Sequence, residues 1–184
     1  MIIVEGLDNT GKTTLVKQLA DAFPQLKIRP SIGNKHDPAA IAQQAWQEAY
    51  YAQHHTISDR SRIISEWVYN PILRARPTAF SFDRWMKHLA GFAQGQHLVI
   101  YAVRHLEEIR ESFQHKDQLE GVYDNLDLLN RRYSQVIAML KLLFELQPHP
   151  VSTIDTYFFA DDYSRTFIMN EVQRYLTSAK KEYL

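Results

Sequence analysis

The sequence predicts a parallel, three-layer α/β sandwich, and three observations carry that expectation. Gly6, Gly11, Lys12 and Thr13 fit the pattern G-x-x-x-x-G-K-[ST], between an apolar run, Ile2 to Val4, and the amphipathic positions Leu15, Leu19 and Phe23. That order reads as strand, phosphate-binding loop and helix. Leu98 to Val103 is a near-continuous apolar run of the kind buried on both faces of a parallel sheet. Val122, Leu126, Leu129, Tyr133, Val136, Ile137, Leu140 and Leu143 step mainly by three and four, the spacing of a long amphipathic helix. Strands that alternate with helices pair in parallel through right-handed crossovers.

In chain order, the first helix is expected over about Lys12 to Ala22, ending before Pro24, because the residue before a proline avoids the helical region. A brief strand, Leu26 to Arg29, follows. Pro30, Gly33, Asn34 and Pro38 mark a loop, with Asp37 as N-cap and Pro38 at the first helical position. The next helix carries Ile41, Ala45, Trp46, Ala49 and Tyr50 and ends near His54. A third strand, His55 to Ser58, leads into Asp59-Arg60-Ser61 and a helix from Ser61 to Leu73, which Pro71 should kink or end. After Pro77, a helix bearing Phe82, Trp85, Leu89 and Phe92 closes at Gly95. The strand Leu98 to Val103 precedes a charged, helix-forming stretch, His105 to Glu120, and then the long helix, which Pro148 and Pro150 end. A fifth strand, Val151 to Ile154, gives way to a loop at Asp155, and Asp161 opens a final helix through Phe167, Ile168, Val172 and Leu176. No repeat or linker interrupts the chain, so residues 1–184 are expected to form one domain.

Composition narrows the function classes. Hydrophobic residues at 45% and charged residues at 23% are ordinary for a soluble globular chain. Lys plus Arg equals Asp plus Glu, 21 against 21, so no global charge draws the protein to nucleic acid or an anionic membrane. Without cysteine there is neither disulfide nor thiolate chemistry, which suits a reducing compartment. The longest apolar run is too short to cross a bilayer, and the N-terminal segment is used by the phosphate loop rather than by a signal sequence. The expectation is a cytoplasmic protein with a small-molecule partner and neither a nucleic acid nor a membrane.

The loop residues Gly6, Asp8, Asn9, Thr10, Gly11, Lys12, Thr13 and Thr14 are expected to cradle a polyphosphate. Two glycines let successive N–H groups face inward, and the following helix adds its positive end. Lys12 would reach the β and γ phosphates and the Thr13 hydroxyl would hold Mg²⁺. Asp59 and Arg60, at the carboxyl end of strand three, should open onto the same crevice. Asp59 can hold a Mg²⁺ water or accept a hydroxyl proton, and Arg60 can grip an acceptor phosphate. A salt bridge or a helix cap is the simpler reading of that pair, but it loses ground once the phosphate loop shares the crevice. A nucleoside acceptor would need a base such as Asp59. A monophosphate is already an oxyanion and needs cations instead. The basic residues near the crevice favour the second, although Arg62, Arg74 and Arg76 also fit as solvated helix faces.

Val4-Glu5-Gly6-Leu7-Asp8 through Lys12-Thr13-Thr14, followed one strand-helix-strand unit later by Asp59-Arg60, resembles the thymidylate kinases and related deoxynucleoside and deoxynucleotide kinases. His115-Lys116-Asp117-Gln118-Leu119-Glu120-Gly121-Val122, ahead of the long helix, is similar to a small bacteriophage-type branch of that family. Together these motifs organise most of the chain from Met1 to about Tyr133. The resemblance implies a five-stranded parallel sheet, a mobile helical lid at about 104–120, ATP as donor and Mg²⁺ as cofactor. It also implies that Asp8 lies near the acceptor sugar, Arg60 binds the acceptor phosphate, and Arg110 and Lys116 cover the transferring phosphoryl group. Arg29-Pro30-Ser31 departs from the family's motif after strand two, which leaves the acceptor's identity open. Trp46, Tyr50, Trp67, Tyr69 and Trp85 could stack a base, but their helical spacing assigns them to the core.

Two weaker signals are set aside. Asn34-Lys35-His36-Asp37 matches the N-K-x-D of GTPases, yet it follows the second strand and no D-x-x-G precedes it. The histidines lack a helical H-x-x-x-H, which disfavours a structural metal site. The reading is therefore Mg²⁺-dependent transfer of the ATP γ-phosphoryl group to a deoxynucleoside monophosphate, thymidylate-like first, with Lys12, Asp59, Arg60 and Arg110 catalytic and Thr13 and Asp59 on the metal. The alternatives are a deoxynucleoside kinase with Asp59 as base, a DNA-directed kinase, or a non-catalytic nucleotide-binding protein. The base accepted, a homodimeric state and a viral source, with the host cytoplasm as location, stay open.

Overall fold

Five strands, β1 (Ile2–Glu5), β2 (Lys27–Arg29), β3 (Thr56–Asp59), β4 (Leu98–Val103) and β5 (Thr153–Phe158), form one all-parallel sheet in the order β2-β3-β1-β4-β5. The computed structural model describes residues 1–29, 37–51, 55–73, 81–113, 121–147 and 152–179. Its helices are α1 (Lys12–Ala22), α2 (Pro38–Tyr50), α3 (Arg62–Leu73), α4 (Phe82–Gln94), α5 (Leu106–Phe113), α6 (Leu126–Glu145) and α7 (Asp162–Ala179). Among the described residues no helix is long and apolar enough to cross a membrane.

The strand period of two divides the core. Ile3 and Val99 point to one face and pack with Ile63, Ile64, Trp85, Leu89 and Tyr133 of α3, α4 and α6. Ile2, Val4, Ile57, Leu98 and Ile100 point to the other and meet Leu15 and Leu19 of α1 and Ile168 and Val172 of α7. Each fully buried aliphatic side chain contributes about 1.5–3 kcal/mol, so both faces must be covered and three layers result. β1 is central, and the chain turns to β2 and β3 on one side and to β4 and β5 on the other. The crevice at the carboxyl end of β1 is thus the topological switch point, where open α/β sheets bind ligands.

Several element ends follow from local chemistry. Asp37 accepts from the Ala39 amide at 2.9 Å with Pro38 next in line, and the Asp161 carboxylate accepts from the Ser164 amide at 2.8 Å as α7 begins. Other ends differ from the sequence expectation. β5 begins at Thr153 and runs on to Phe158, so Asp155 lies within the strand rather than opening a loop. The reason is its neighbour: β4 offers a six-residue partner edge, and the pairing continues to Val103↔Phe158. α3 reaches Leu73, as expected, with Pro71 inside its last turn. The Trp67 carbonyl, which loses its helical partner at Pro71, accepts from Arg132 Nε of α6 at 3.0 Å instead. α6 starts at Leu126, because Gly121 at φ +81° and the Asn125 side chain on the Gly121 carbonyl form a turn first. α2 ends at Tyr50. Trp67 and Trp85 do stack in the core, 4.2 Å apart, and Tyr69 is buried, whereas Trp46 and Tyr50 are 45% and 48% exposed. Those two lie on the outer side of α2, whose inward stripe is Ile41, Gln44, Ala45, Glu48 and Ala49. The N-K-x-D tract at 34–36, His54, Arg74, Arg76, Pro77, the stretch 114–120 with Lys116, and Pro148, Pro150 and Val151 lie outside the described residues.

Candidate active site

The loop after β1 is shaped by backbone that only particular residues tolerate. Gly6 has φ +142°, and a Cβ there would stand 2.2 Å from the Ala102 carbonyl oxygen of β4. Gly11 has φ +80° and Asn9 φ 62°, so the chain between them turns its amides inward as a nest. The Thr10 hydroxyl donates to the Leu7 carbonyl at 2.9 Å and braces the turn from inside. α1 then starts at Lys12, adding its positive end to the nest. Lys12 is buried and donates to the Leu7 carbonyl. Burial, reinforced by the nearby Arg60 charge, brings its ammonium down to about 7.

β3 lies beside β1 with Val4 opposite Asp59, which sets the Asp59 carboxylate next to α1. The Thr13 hydroxyl donates to Asp59 Oδ2 at 2.6 Å. One hydroxyl and one carboxylate oxygen at that separation suit Mg²⁺, which takes one or two protein oxygens and completes its shell with water and phosphate. Among the described residues no group of three or more His, Asp or Glu could hold a metal by itself, so phosphate oxygens would have to complete such a site.

Arg60 follows in the left-handed region at φ 78°, uncommon for a non-glycine residue and costing about 1–3 kcal/mol. Its guanidinium folds under the loop and donates to the Gly6 carbonyl at 3.1 Å, the Tyr133 hydroxyl at 2.6 Å and Asp8 Oδ1 at 2.5 Å. It also lies 4.8 Å over the Tyr69 ring. Burial alone would raise the Asp8 carboxyl, but Arg60 and Lys12 outweigh it and hold the group below its usual range. Behind them Glu5, fully buried at the end of β1, accepts from the Ser61 amide at 2.5 Å and the Tyr133 hydroxyl at 3.1 Å. Its burial dominates over Arg60 and lifts the carboxyl to about 7.

These groups border a cavity of about 290 Å³ lined by Asp8, Asn9, Gly11, Lys12, Thr13, Thr14, Asp59 and Arg60. Gly6 and Thr10 support its wall from behind. Arg110 is elsewhere: α5 directs it to Asp127 of α6 at 2.7 Å and Glu107 at 3.7 Å. Arg104, just past β4, pairs through Nε with Glu108 at 2.8 Å, while its Nη1 donates to the Asn9 carbonyl at 3.4 Å and its guanidinium lies 4.7 Å over the Phe159 ring. That ring presses on the nest, with Phe159 Cδ2 only 2.1 Å from where a Gly11 Cβ would sit. Four participants were not singled out from the sequence: Glu5, Tyr133, Arg104 and Phe159. A carboxylate ending an otherwise apolar strand was the available signal for Glu5. Tyr133 looked like one more apolar position of α6. Arg104 directly follows the carboxyl end of β4, where site groups gather, and Phe159 carried no signal.

No family model matches the chain, and no curated protein matches it. Solved structures do. The YorR protein of Bacillus subtilis, determined in complex with phosphorylated GDP, superposes with a TM-score of 0.62 at 16% identity, over 98% of this chain and 97% of that one. Polyphosphate kinase 2 of Arthrobacter aurescens gives 0.53 at 14% identity, over 97% of this chain and 68% of its own. A thymidylate kinase of Candida albicans gives 0.45 at 13% identity, over 97% and 91%. At these identities the first two likenesses show the fold alone, a five-stranded parallel sheet covered by helices.

Proposed function

We propose that the protein is a kinase that moves the γ-phosphoryl group of ATP to a deoxynucleoside monophosphate, with dTMP the first acceptor to test. The observation that carries this reading is that Arg60 lines the same cavity as Lys12, Thr13 and Asp59. A donor cradle and an acceptor cation therefore share one cleft. The loop amides and Lys12 hold the donor phosphates, and Arg60 holds the acceptor phosphate. Thr13 and Asp59 would hold Mg²⁺, which supplies charge neutralisation between the phosphate chains. The acceptor phosphate oxygen forms the new P–O bond as the bond to ADP breaks, so no hydroxyl proton has to be removed. Asp59 accepting from Thr13 supports a place for it on the metal side rather than as a base, which favours the monophosphate over the nucleoside. Positive charge from Lys12 and Arg60 offsets the repulsion between two anionic substrates. Arg104, stacked on Phe159 beside the loop, is better placed than Arg110 to reach the donor. The reading implies a cytoplasmic enzyme whose partners are nucleotides.

The test is one panel: the protein with ATP and Mg²⁺ against each common nucleoside and nucleoside monophosphate, scored for ADP and for phosphorylated product. Formation of a diphosphate from a monophosphate is the expected result. Phosphorylation of nucleosides alone would overturn it in favour of a nucleoside kinase, and ADP release without product would favour a nucleotide hydrolase or binding protein.

A further inference from the structure

The inward stripe of α2 carries one ionisable group that an apolar interface does not need. Glu48 is 1% exposed among Ile41, Ala45 and Ala49, where an ionisable group is costly unless paired. Its Oε2 accepts from the Ser61 hydroxyl at 2.7 Å and the Arg62 amide at 2.8 Å, and its Oε1 from Arg29 Nη1 at 3.3 Å. One carboxylate thus joins β2, α2 and the first turn of α3. It shares the capping of α3 with the Ser61 hydroxyl, which accepts from the Ile63 amide at 3.1 Å, as an N-cap serine does. Beyond the Arg62 amide, Glu48 also holds the Ser61 side chain, next to the left-handed Arg60.

That turn is secured on every side. The Arg60 amide donates to the Val4 carbonyl at 2.9 Å, and the Ser58 hydroxyl donates to the Arg60 carbonyl at 2.8 Å. The Ser61 amide is taken by Glu5 and the Ser61 hydroxyl by Glu48. A strained backbone conformation persists where its surroundings over-determine it, and such places gather at functional sites. The Gln44 Oε1, one turn before Glu48 on the same stripe, accepts from Arg62 Nε at 3.2 Å, so α2 grips the start of α3 at two levels.

We propose that Glu48 is a positioning residue for acceptor recognition: with Arg29 as its charge partner, it fixes through Ser61 the backbone from which the Arg60 guanidinium reaches the phosphate-loop cavity. This rests on the reading of Arg60 as the ligand of the acceptor phosphate. It identifies α2, which does not line the cavity, as the element that tunes acceptor affinity while leaving the donor side alone.

Glu48→Gln keeps the shape and one carbonyl oxygen but removes the charge, and Ser61→Ala removes the link. Glu48→Gln should raise KM for the best monophosphate of the panel by about tenfold and change KM for ATP by less than about twofold. Ser61→Ala should shift the same constant in the same direction, and the double variant should lose less than the sum of the two single effects, because the Ser61–Glu48 contact is common to both while Glu48 also holds the Arg62 amide and Ser61 also caps Ile63. Equal movement of the two KM values in folded protein, or an unmoved acceptor KM, overturns the proposal. If Glu48→Gln does not fold, Ser61→Ala decides. The Arg60 Nε–H resonance, assigned with Arg60→Lys, gives a readout that needs no turnover. It should shift or broaden in Glu48→Gln and Ser61→Ala but not in Gln43→Ala, on the exposed side of α2. If the protein phosphorylates no monophosphate, the proposed function fails and this resonance alone decides Glu48, an unmoved signal in both variants rejecting it.

Discussion

The phosphate loop and the Asp59-Arg60-Ser61 turn face one cavity but are built in opposite ways. In the loop, contiguous backbone does the shaping: positive φ at Gly6, Asn9 and Gly11, followed at once by the start of α1. In the turn, a left-handed arginine and the serine after it are held by side chains from distant elements, Arg60 by Tyr133 of α6 and Ser61 by Glu5 of β1 and Glu48 of α2. A site made of backbone N–H groups keeps its form when surrounding side chains change. A site made of buried charges depends on each partner, because a buried charge left unpaired costs several kcal/mol.

The largest effect that could break this comparison is on the loop. Lys12→Ala should lower kcat by a hundredfold or more, since it removes charge stabilisation of the transferring group; more than about a few per cent residual turnover would reject the assignment of the loop. On the turn side, Arg60→Ala should raise KM for the monophosphate by at least about tenfold, the worth of a charge-assisted hydrogen bond, while KM for ATP changes little. Equal changes in both constants would erase the division into donor and acceptor sides.

A smaller effect sharpens the contrast through pH. The Glu5 carboxyl stands at about 7 when folded, above its ordinary 4.5, so folding favours its protonated form. That contribution is complete below about pH 4.5 and is lost as pH rises through about 7. Glu5→Gln does not titrate, and its stability relative to the parent should therefore improve by about 1 kcal/mol between pH 6 and pH 8. Thermal melts of both proteins across that range read the difference directly, and a Tm difference that stays flat would contradict the burial of a titrating Glu5. Smallest of all, Arg104→Ala should raise KM for ATP by about threefold, as expected for a partly exposed cation. Arg110→Ala, whose partners Asp127 and Glu107 do not line the cavity, should stay within about 1.5-fold by the same estimate. A reversed order in steady-state kinetics would return the donor-side role to Arg110.

Much of this was legible before any coordinates. α1 at Lys12–Ala22, β4 at Leu98–Val103 and the Asp37-Pro38 start of α2 follow from caps, prolines and runs of adjacent residues. The pairing of Thr13 with Asp59 was inferable because strand ends in a parallel sheet meet along one edge. The extent of β5 was not, since an edge strand lengthens to match its partner β4. Nor was the group that receives the Trp67 carbonyl freed by Pro71: it is Arg132, far away in sequence. Arg104 directly follows the carboxyl end of β4, whereas Arg110 lies on α5, but which of them meets the loop was decided by packing.

By itself, then, the sequence determined the alternation of strands and helices, the glycine-shaped loop after β1 and the residues at the strand ends, because glycine conformations, helix caps and apolar periodicity act over a few residues of chain. Only the tertiary structure decided how Arg60 is held, which arginine stands over the loop, and that Glu5 and Glu48 lie buried behind the site. Those are questions of which charges share a low-dielectric interior, and that is settled by the distance between elements rather than by their order along the chain.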